Sequence, residues 1–251
     1  MSTQNEWFKN ENFWLQFAPI MFDEQRWSEA STVAQEICKL ANLTQGNTIL
    51  DAGCGPGRIS IELALCGLEV TGIDLIGPFL AAAQESANDE NVNITLIQSD
   101  LRYFDGQYDF DAAVNLYTSF GYCNNIDDDA LILQRIAKSL KQGGIFILEC
   151  LSREIAVRDF TEGEWFERAG KTVLTRFSVE GAWEGLRSDW TLIDNDTGER
   201  MRHVFVQRLY SATDLRTLLL ANGFSTCEIY GDFNKSPYNE KARTTVLLCK
   251  K

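Results

Sequence analysis

ILDAGCGPGR, Ile49 to Arg58, reads as an apolar strand end, then an acid, then three glycines in a short loop that opens a helix. Glycine belongs where backbone turns with positive φ or approaches a ligand closely. Gly53, Gly55 and Gly57, directly after a strand, therefore make a nucleotide-type binding turn. Asp51 narrows the ligand. A dinucleotide loop offers amides and a helix N-terminus to a pyrophosphate, which a carboxylate at the loop entrance repels. A kinase-like phosphate loop needs Gly-Lys-Ser/Thr, and here Gly57 is followed by Arg58 and Ile59.

S-adenosylmethionine has no phosphate, carries a sulfonium cation and ends in an amino acid, so an acid near its ammonium is favourable. The loop suits that cofactor best. ILDAGCGPGR resembles the first motif of the class I S-adenosylmethionine-dependent methyltransferases; an ordinary glycine-rich turn or another Rossmann-like loop is the alternative on these residues alone. Two further acids weigh against that alternative. LEVTGID, Leu68 to Asp74, reads as a second strand ending in an acid that can accept from both ribose hydroxyls. VNITLIQSDLRYF, Val92 to Phe104, gives a third strand ending at Ser99-Asp100-Leu101. The resemblance implies that Asp100 meets the exocyclic amine of adenine and that Leu101 lends a backbone N–H to the ring.

Before the loop, Ser28 to Leu43 repeats apolar Val33, Ile37, Leu40 and Ala41 at helical spacing. Arg26 just ahead of it is a candidate partner for the cofactor carboxylate. Trp7 to Phe22 is dense in aromatics, either a helix lying on the core or a lid over cofactor and acceptor, and Pro19 is expected to break a helix begun at Trp7. Beyond the loop, FDAAVN, Phe110 to Asn115, is a fourth strand, and Asn115 to Tyr122 should line the transfer chamber, because ligands of open parallel sheets bind where strand order reverses. Asp127 is expected to cap the next helix and Gly143-Gly144 to close it before a fifth strand. From Glu164 to Tyr210 the text becomes strand-like and turn-punctuated: KTVLTRFSVE, GLRSDWTLID and ERMRHVFVQRLY suggest three antiparallel strands, with Trp165, Phe166, Trp183 and Trp190 available for an aromatic wall or, alternatively, a dimer surface. Ser211 opens a last helix, and STCEIYG and RTTVLLCK close the sheet.

The expected fold is thus α/β: a seven-stranded Rossmann-like methyltransferase sheet flanked by helices, with an antiparallel three-strand insertion after strand five. One domain is expected over 1–251, made of an N-terminal helical lid (1–44), a core (45–153 and 211–251) and a β insertion (154–210).

The 23 Lys and Arg against 36 Asp and Glu leave a formal charge of −13, a repulsive field toward a polyanion, so nucleic acid is disfavoured as a substrate. Seven scattered cysteines form no close pair of the zinc type, so no metal is expected. With no signal-type start and no long apolar run, they point to a cytoplasmic protein away from the membrane.

The chemistry expected from the resemblance is methyl transfer from S-adenosylmethionine, leaving S-adenosylhomocysteine. The aromatic N-terminus, the loop Tyr117 to Cys123 and the insertion resemble bacterial small-molecule methyltransferases, including those acting on amino sugars, which tend to carry His or Tyr at the position of Tyr122. Tyr122, as a poor unaided base or an orienting group, and the single histidine, His203, are the catalytic candidates. The acceptor is expected to be a small soluble molecule methylated on nitrogen or oxygen, and the protein a monomer or homodimer. Two rivals stand beside this reading: a non-catalytic sensor of the cofactor or its product, and a methyltransferase acting on tRNA or protein. The Asn/Asp-Pro-Pro-Tyr/Phe tetrad usual for base methylation is missing, since Asn115 is followed by Leu116, Tyr117 and Thr118.

Overall fold

The computed structural model of the protein describes residues 6–22, 24–105 and 109–251, without the side chains of 24–26. After a 3-10 turn at Trp7–Lys9 come α1 (Glu11–Met21), α2 (Glu24–Leu40), β1 (Thr48–Ala52), α3 (Arg58–Leu65), β2 (Glu69–Asp74), α4 (Gly77–Asp89), β3 (Ile94–Gln98) and β4 (Phe110–Asn115). The chain continues through α5 (Ile126–Ser139), β5 (Leu140–Cys150), α6 (Arg153–Arg158), β6 (Gly163–Arg168), β7 (Lys171–Glu180), β8 (Gly185–Asp194), β9 (Arg200–Arg208), α7 (Ala212–Ala221), β10 (Thr226–Tyr230) and β11 (Thr245–Lys250).

The main sheet has seven strands in the order β3-β2-β1-β4-β5-β11-β10. The first five are mutually parallel, and β11 runs antiparallel to both β5 and β10. A parallel sheet is covered on both faces, so its strands read as apolar runs whose alternate residues go to opposite sides. Ile49, Val114 and Ile147 pack with Ala34, Ile37, Ile59 and Leu63 of α2 and α3. Leu50, Phe146 and Leu148 pack instead with Leu133, Ile136, Leu215 and Leu219 of α5 and α7. Strand order reverses at β1, between β2 and β4, and the site forms there.

A second sheet, β6-β7-β8-β9, is antiparallel throughout. It has four strands rather than the three expected. The extra strand, Gly163–Arg168, sets the adjacent aromatics Trp165 and Phe166 between Glu164 and the charged pair Glu167 and Arg168, and so lacks a hydrophobic period; the turn at Ala169 and Gly170, both at positive φ, folds it onto β7. One row across this sheet, Phe166, Val173, Leu192 and Met201, is apolar and receives Phe13, Phe17 and Ile20 from α1.

Three local expectations need correction. Pro19 lies inside α1, and the break falls earlier, at Asn10, whose side chain caps the helix by accepting from the Phe13 N–H. Pro19 has no N–H for the carbonyl of Leu15, four residues back, and Leu15 is exposed, so water can serve that acceptor. Asn125, not Asp127, caps α5, accepting from the Asp128 N–H at 2.7 Å; Asp127 sits in the first turn, where its charge favours the helix dipole. Gly143 and Gly144 lie within β5, which starts directly after α5 at Leu140. Among the described residues no helix is long and apolar enough to cross a membrane.

Candidate active site

A cavity of ≈ 620 Å³ opens beyond the carboxyl ends of β1 to β4, and Asp51, Gly53, Gly55, Asp74, Asp100 and Leu101 line one end of it. The loop amides there are already engaged. Gly53 and Cys54 donate to the Ile73 carbonyl at 2.8 and 2.9 Å, Gly55 donates to Asp74 at 2.8 Å, and Gly57 to the Cys54 carbonyl at 3.1 Å. Pro56 has no N–H, so this turn presents carboxylates rather than an amide nest, which suits a cationic, phosphate-free nucleoside and not a pyrophosphate.

Asp51, at the tip of β1, is buried and accepts from the Ser60 hydroxyl at 2.6 Å. Burial pushes its carboxyl up to about 6; the Ser60 hydrogen bond opposes this, the Asp74 charge adds to it, and Arg58 draws it back. Asp74, at the tip of β2, accepts the Ile76 N–H on one oxygen and the Gly55 N–H on the other, so the second strand holds the glycine loop. Burial raises its pKa, against the pull of those amides. Asp100, just past β3, is gripped by Arg102, whose Nη2 lies 2.6 Å from Oδ2 and whose backbone N–H donates at 3.0 Å. Burial alone would raise Asp100, but the Arg102 hydrogen bonds and charge outweigh it and hold the carboxyl below its ordinary value. Arg102 is itself buried and also pairs with Glu6 at 2.5 Å and Asp128 at 3.0 Å, which fastens the N-terminal segment to this end of the cavity.

The glycines divide their work. Gly53 (φ 85°) sits where a Cβ would come 3.1 Å from the Ser119 Cβ, and Gly55 (φ 55°) passes under the Phe22 ring. Gly57 (φ 81°) does not line the cavity; a Cβ there would stand 2.6 Å from the Ala83 Cβ, so it lets α3 and α4 pack closely. Asn115 also lies behind the wall. It donates to the Ala52 carbonyl at 2.6 Å, joining β4 to β1, and its buried Oδ1 has no hydrogen-bond partner among the described residues. The side chain of Arg26 lies outside the described residues.

The rest of the lining comes from other elements, Phe22 and Ser119 reaching back to the glycine loop. Leu116, Tyr117, Ser119, Gly121 and Tyr122 come from the loop after β4, Ile20, Met21 and Phe22 from α1 and the residue after it, and Glu164, Phe166, Arg168 and Trp190 from the second sheet. Tyr117 and Thr118 both hold positive φ, 52° and 66°, a strained pair kept in place by Glu149 accepting from the Tyr117 N–H at 2.6 Å and by the Arg58 guanidinium 4.0 Å over the Tyr117 ring. Tyr122 packs against Trp7, ring centroids 4.6 Å apart. Burial, then the Asp74 charge, pushes its phenol far above the usual tyrosine range, so it is a neutral donor and not a base.

His203 is not brought to this cavity. It stands in the same row of the second sheet as Glu164, Thr175 and Trp190, but on the far strand, where it meets Gln16 Oε1 at 2.8 Å, edges against Phe13 and Phe17, and borders a separate recess of ≈ 260 Å³. Burial lowers its pKa. Of the four aromatics expected in the wall, Phe166 and Trp190 line it, whereas Trp165 points outward at 68% exposure and Trp183 packs on Phe160 near the turn between β7 and β8. Ser60, Arg102 and Glu164 escaped the sequence reading. The signal for Arg102 was present, a cation two residues after an expected ligand acid; Ser60 and Glu164 leave none.

Comparison with known proteins agrees with this geometry. Residues 49–144 match the methyltransferase domain family. The putative methyltransferase YqeM of Bacillus subtilis is 29% identical over 199 residues, 77% of this chain and 79% of that protein. An S-adenosylmethionine-dependent methyltransferase from Clostridium acetobutylicum shares the fold with a TM-score of 0.78 at 17% identity, covering 95% of this chain and 97% of its own. CalS10, an amino pentose methyltransferase from Micromonospora echinaspora solved with S-adenosylmethionine bound, superposes with a TM-score of 0.67 at 22% identity, covering 90% and 92%. A methyltransferase domain spanning the glycine loop, on a sheet whose strand tips present carboxylates where a phosphate site would present amides, makes this chain an S-adenosylmethionine-dependent methyltransferase.

Proposed function

We propose that the protein methylates a nitrogen or oxygen atom of a small soluble metabolite. The observation that carries this reading is that the carboxylate-lined end and the wall formed by α1 and the second sheet share one cavity of ≈ 620 Å³. That size suits a cofactor with a small acceptor, not a polymer laid across a surface. The formal charge of −13 acts in the same direction, against RNA as the acceptor. The amino pentose substrate of CalS10 supports a sugar-sized acceptor.

Asp51 and Asp74, with Gly53 and Gly55, would hold the cofactor, Asp51 toward its ammonium and Asp74 toward the ribose; Asp100 and Leu101 would flank the adenine. When bound, S-adenosylmethionine supplies a methyl group made electrophilic by its sulfonium. The chain's own residues then align and dry the reactants, an arrangement worth roughly 7–11 kcal/mol of barrier where geometry is good. The Trp7–Lys9 turn and α1 act as a lid: Trp7 Nε1 donates to the Val206 carbonyl of the second sheet at 3.0 Å while Glu6 pairs with Arg102 of the core. Tyr122, a neutral phenol whose oxygen has no hydrogen-bond partner among the described residues, orients the acceptor.

The test offers purified protein and methyl-labelled S-adenosylmethionine to a deproteinised metabolite extract, to bulk tRNA and to bulk protein. Label is expected in the metabolite pool. Label confined to tRNA or protein, or cofactor binding without turnover on any of the three, overturns the reading.

A further inference from the structure

Four carboxylates line the cavity: Asp51, Asp74, Asp100 and Glu164. Three are committed. Asp51 accepts from Ser60, Asp74 from two backbone amides, and Asp100 from Arg102. Glu164 differs, since among the described residues its carboxylate has neither a hydrogen bond nor an ion pair; only its backbone is engaged, the N–H donating to Thr175 Oγ1 and the carbonyl accepting from that hydroxyl, both at 3.2 Å. Its direction follows from strand alternation. Glu164, Phe166 and Arg168 of β6 all line the cavity while Trp165 and Glu167 point away, so the carboxylate stands on the acceptor wall beside an aromatic floor of Phe166 and Trp190. The cationic side chain of that strand, Arg168, lies over the Phe166 ring with its guanidinium carbon 5.2 Å from the centroid, and its Nη1 donates to the Ile20 carbonyl at 3.0 Å.

An uncommitted anion in an aromatic-floored wall attracts a cation or a hydrogen-bond donor and repels an acidic hydroxyl that has ionised. Glu164 is also exposed on its other side, so a proton it accepts has a route to bulk water. We infer that Glu164 receives the amino group of an amine acceptor and takes its proton, which makes the protein an N-methyltransferase of small amines. This inference rests on the small-metabolite reading above and narrows it to nitrogen. The acceptor enters as R–NH3+; its N–H bond breaks and the proton passes to the Glu164 carboxylate, leaving R–NH2 with a free lone pair. That pair forms the new C–N bond as the methyl C–S bond breaks and its electrons stay on sulfur. The product is a methylated ammonium and a neutral thioether, and Glu164 returns its proton to water.

The experiment gives wild type, Glu164→Gln and Glu164→Asp the same metabolite extract, supplemented with aminopentoses, aminohexoses and the parent sugars carrying hydroxyl at the same carbon. Labelled products are separated on a cation exchanger. Wild type is expected to place label in the cation-retained amines. Glu164→Gln should lose about 10²-fold in kcat/KM at neutral pH, the scale of a general base, with S-adenosylhomocysteine affinity by calorimetry unchanged. The loss should shrink as pH rises toward the pKa of the amine, because more acceptor then arrives deprotonated, and Glu164→Asp should recover part of the rate. Label in hydroxyl products only, or amine turnover in Glu164→Gln within twofold of wild type at every pH, overturns the assignment of Glu164 and leaves the small-metabolite reading standing. Wild-type label found in tRNA or protein alone, when these are offered beside the extract, removes that reading instead.

Discussion

The two ends of the cavity are made of different materials. At the cofactor end, each carboxylate sits at the tip of a strand in a parallel sheet buried on both faces, and each is fixed by short hydrogen bonds from neighbours close by in the fold. At the acceptor end, the wall is an antiparallel four-stranded sheet and an N-terminal helix, joined by contacts such as Trp7 to Val206 and Gln16 to His203, and its carboxylate is unheld. The first belongs to the main sheet and its two packing clusters. The second packs through a cluster of its own, Phe13, Phe17, Ile20, Val173 and Leu192. In the proposed assignment the first serves the cofactor and the second the acceptor.

The strongest way to break this comparison is Asp51→Asn. If the cofactor end works by charge, the substitution should weaken S-adenosylmethionine binding by 10²-fold or more in calorimetry, on the order of 3 kcal/mol for an opposed charge in a desolvated site. The same change should raise the melting temperature of the ligand-free protein, since burial already disfavours the ionised form. The sign follows from the raised value of about 6: the stability associated with protonated Asp51 is complete below the unfolded carboxyl's pKa near 4 and is lost as pH rises through about 6. Cofactor affinity should run the other way, falling as pH drops below about 6. A flat affinity between pH 5 and 8 would remove Asp51 from the charge argument.

Next in size is Gly57→Ala. A methyl group 2.6 Å from the Ala83 Cβ, at a φ of 81°, should cost about 2–4 kcal/mol of stability by denaturant unfolding, with cofactor affinity per folded molecule nearly unchanged. Loss of binding without loss of stability would mean that Gly57 touches ligand after all. Trp190→Ala acts at the other end. It should raise the acceptor KM about tenfold and leave the S-adenosylhomocysteine Kd unaltered; equal loss of both would dissolve the separation of the two ends. The smallest effect belongs to His203→Gln, which can keep a hydrogen bond to Gln16. Its kcat should stay within about twofold of wild type at neutral pH, since the ring does not reach the cavity. A drop of 10²-fold would restore the histidine as a catalytic group.

Much of the cofactor end was legible before any coordinates. The sequence places strand one at Thr48 to Ala52, where it is found, and sets Asp51, Asp74 and Asp100 at three strand ends, which meet around one cavity. Strand and loop follow each other within a few residues, so burial pattern and glycine spacing determine the local geometry almost alone. The packing role of Gly57 was hidden because its neighbour, Ala83, is twenty-six residues away on another helix, and nothing in a glycine reports what it packs against. The helix cap at Asn125 and the proline inside α1 were missed for a smaller reason: several nearby residues satisfied the same local rule, and only the backbone path selects among them.

By itself the sequence determined the parallel sheet, its helices and the acidic, phosphate-averse character of the binding turn, because these follow from hydrophobic period, chain reversal and charge over short separations. Only the tertiary structure decided which face of the inserted sheet looks inward. That choice placed Glu164, Phe166 and Trp190 on the cavity and turned Trp165 outward, while His203, on the same face, is kept from the cavity by its place on the far strand. A strand offers two faces that differ by one residue, and the partner that covers one of them, here a helix about 150 residues earlier in the chain, is chosen by long-range packing that no local pattern records.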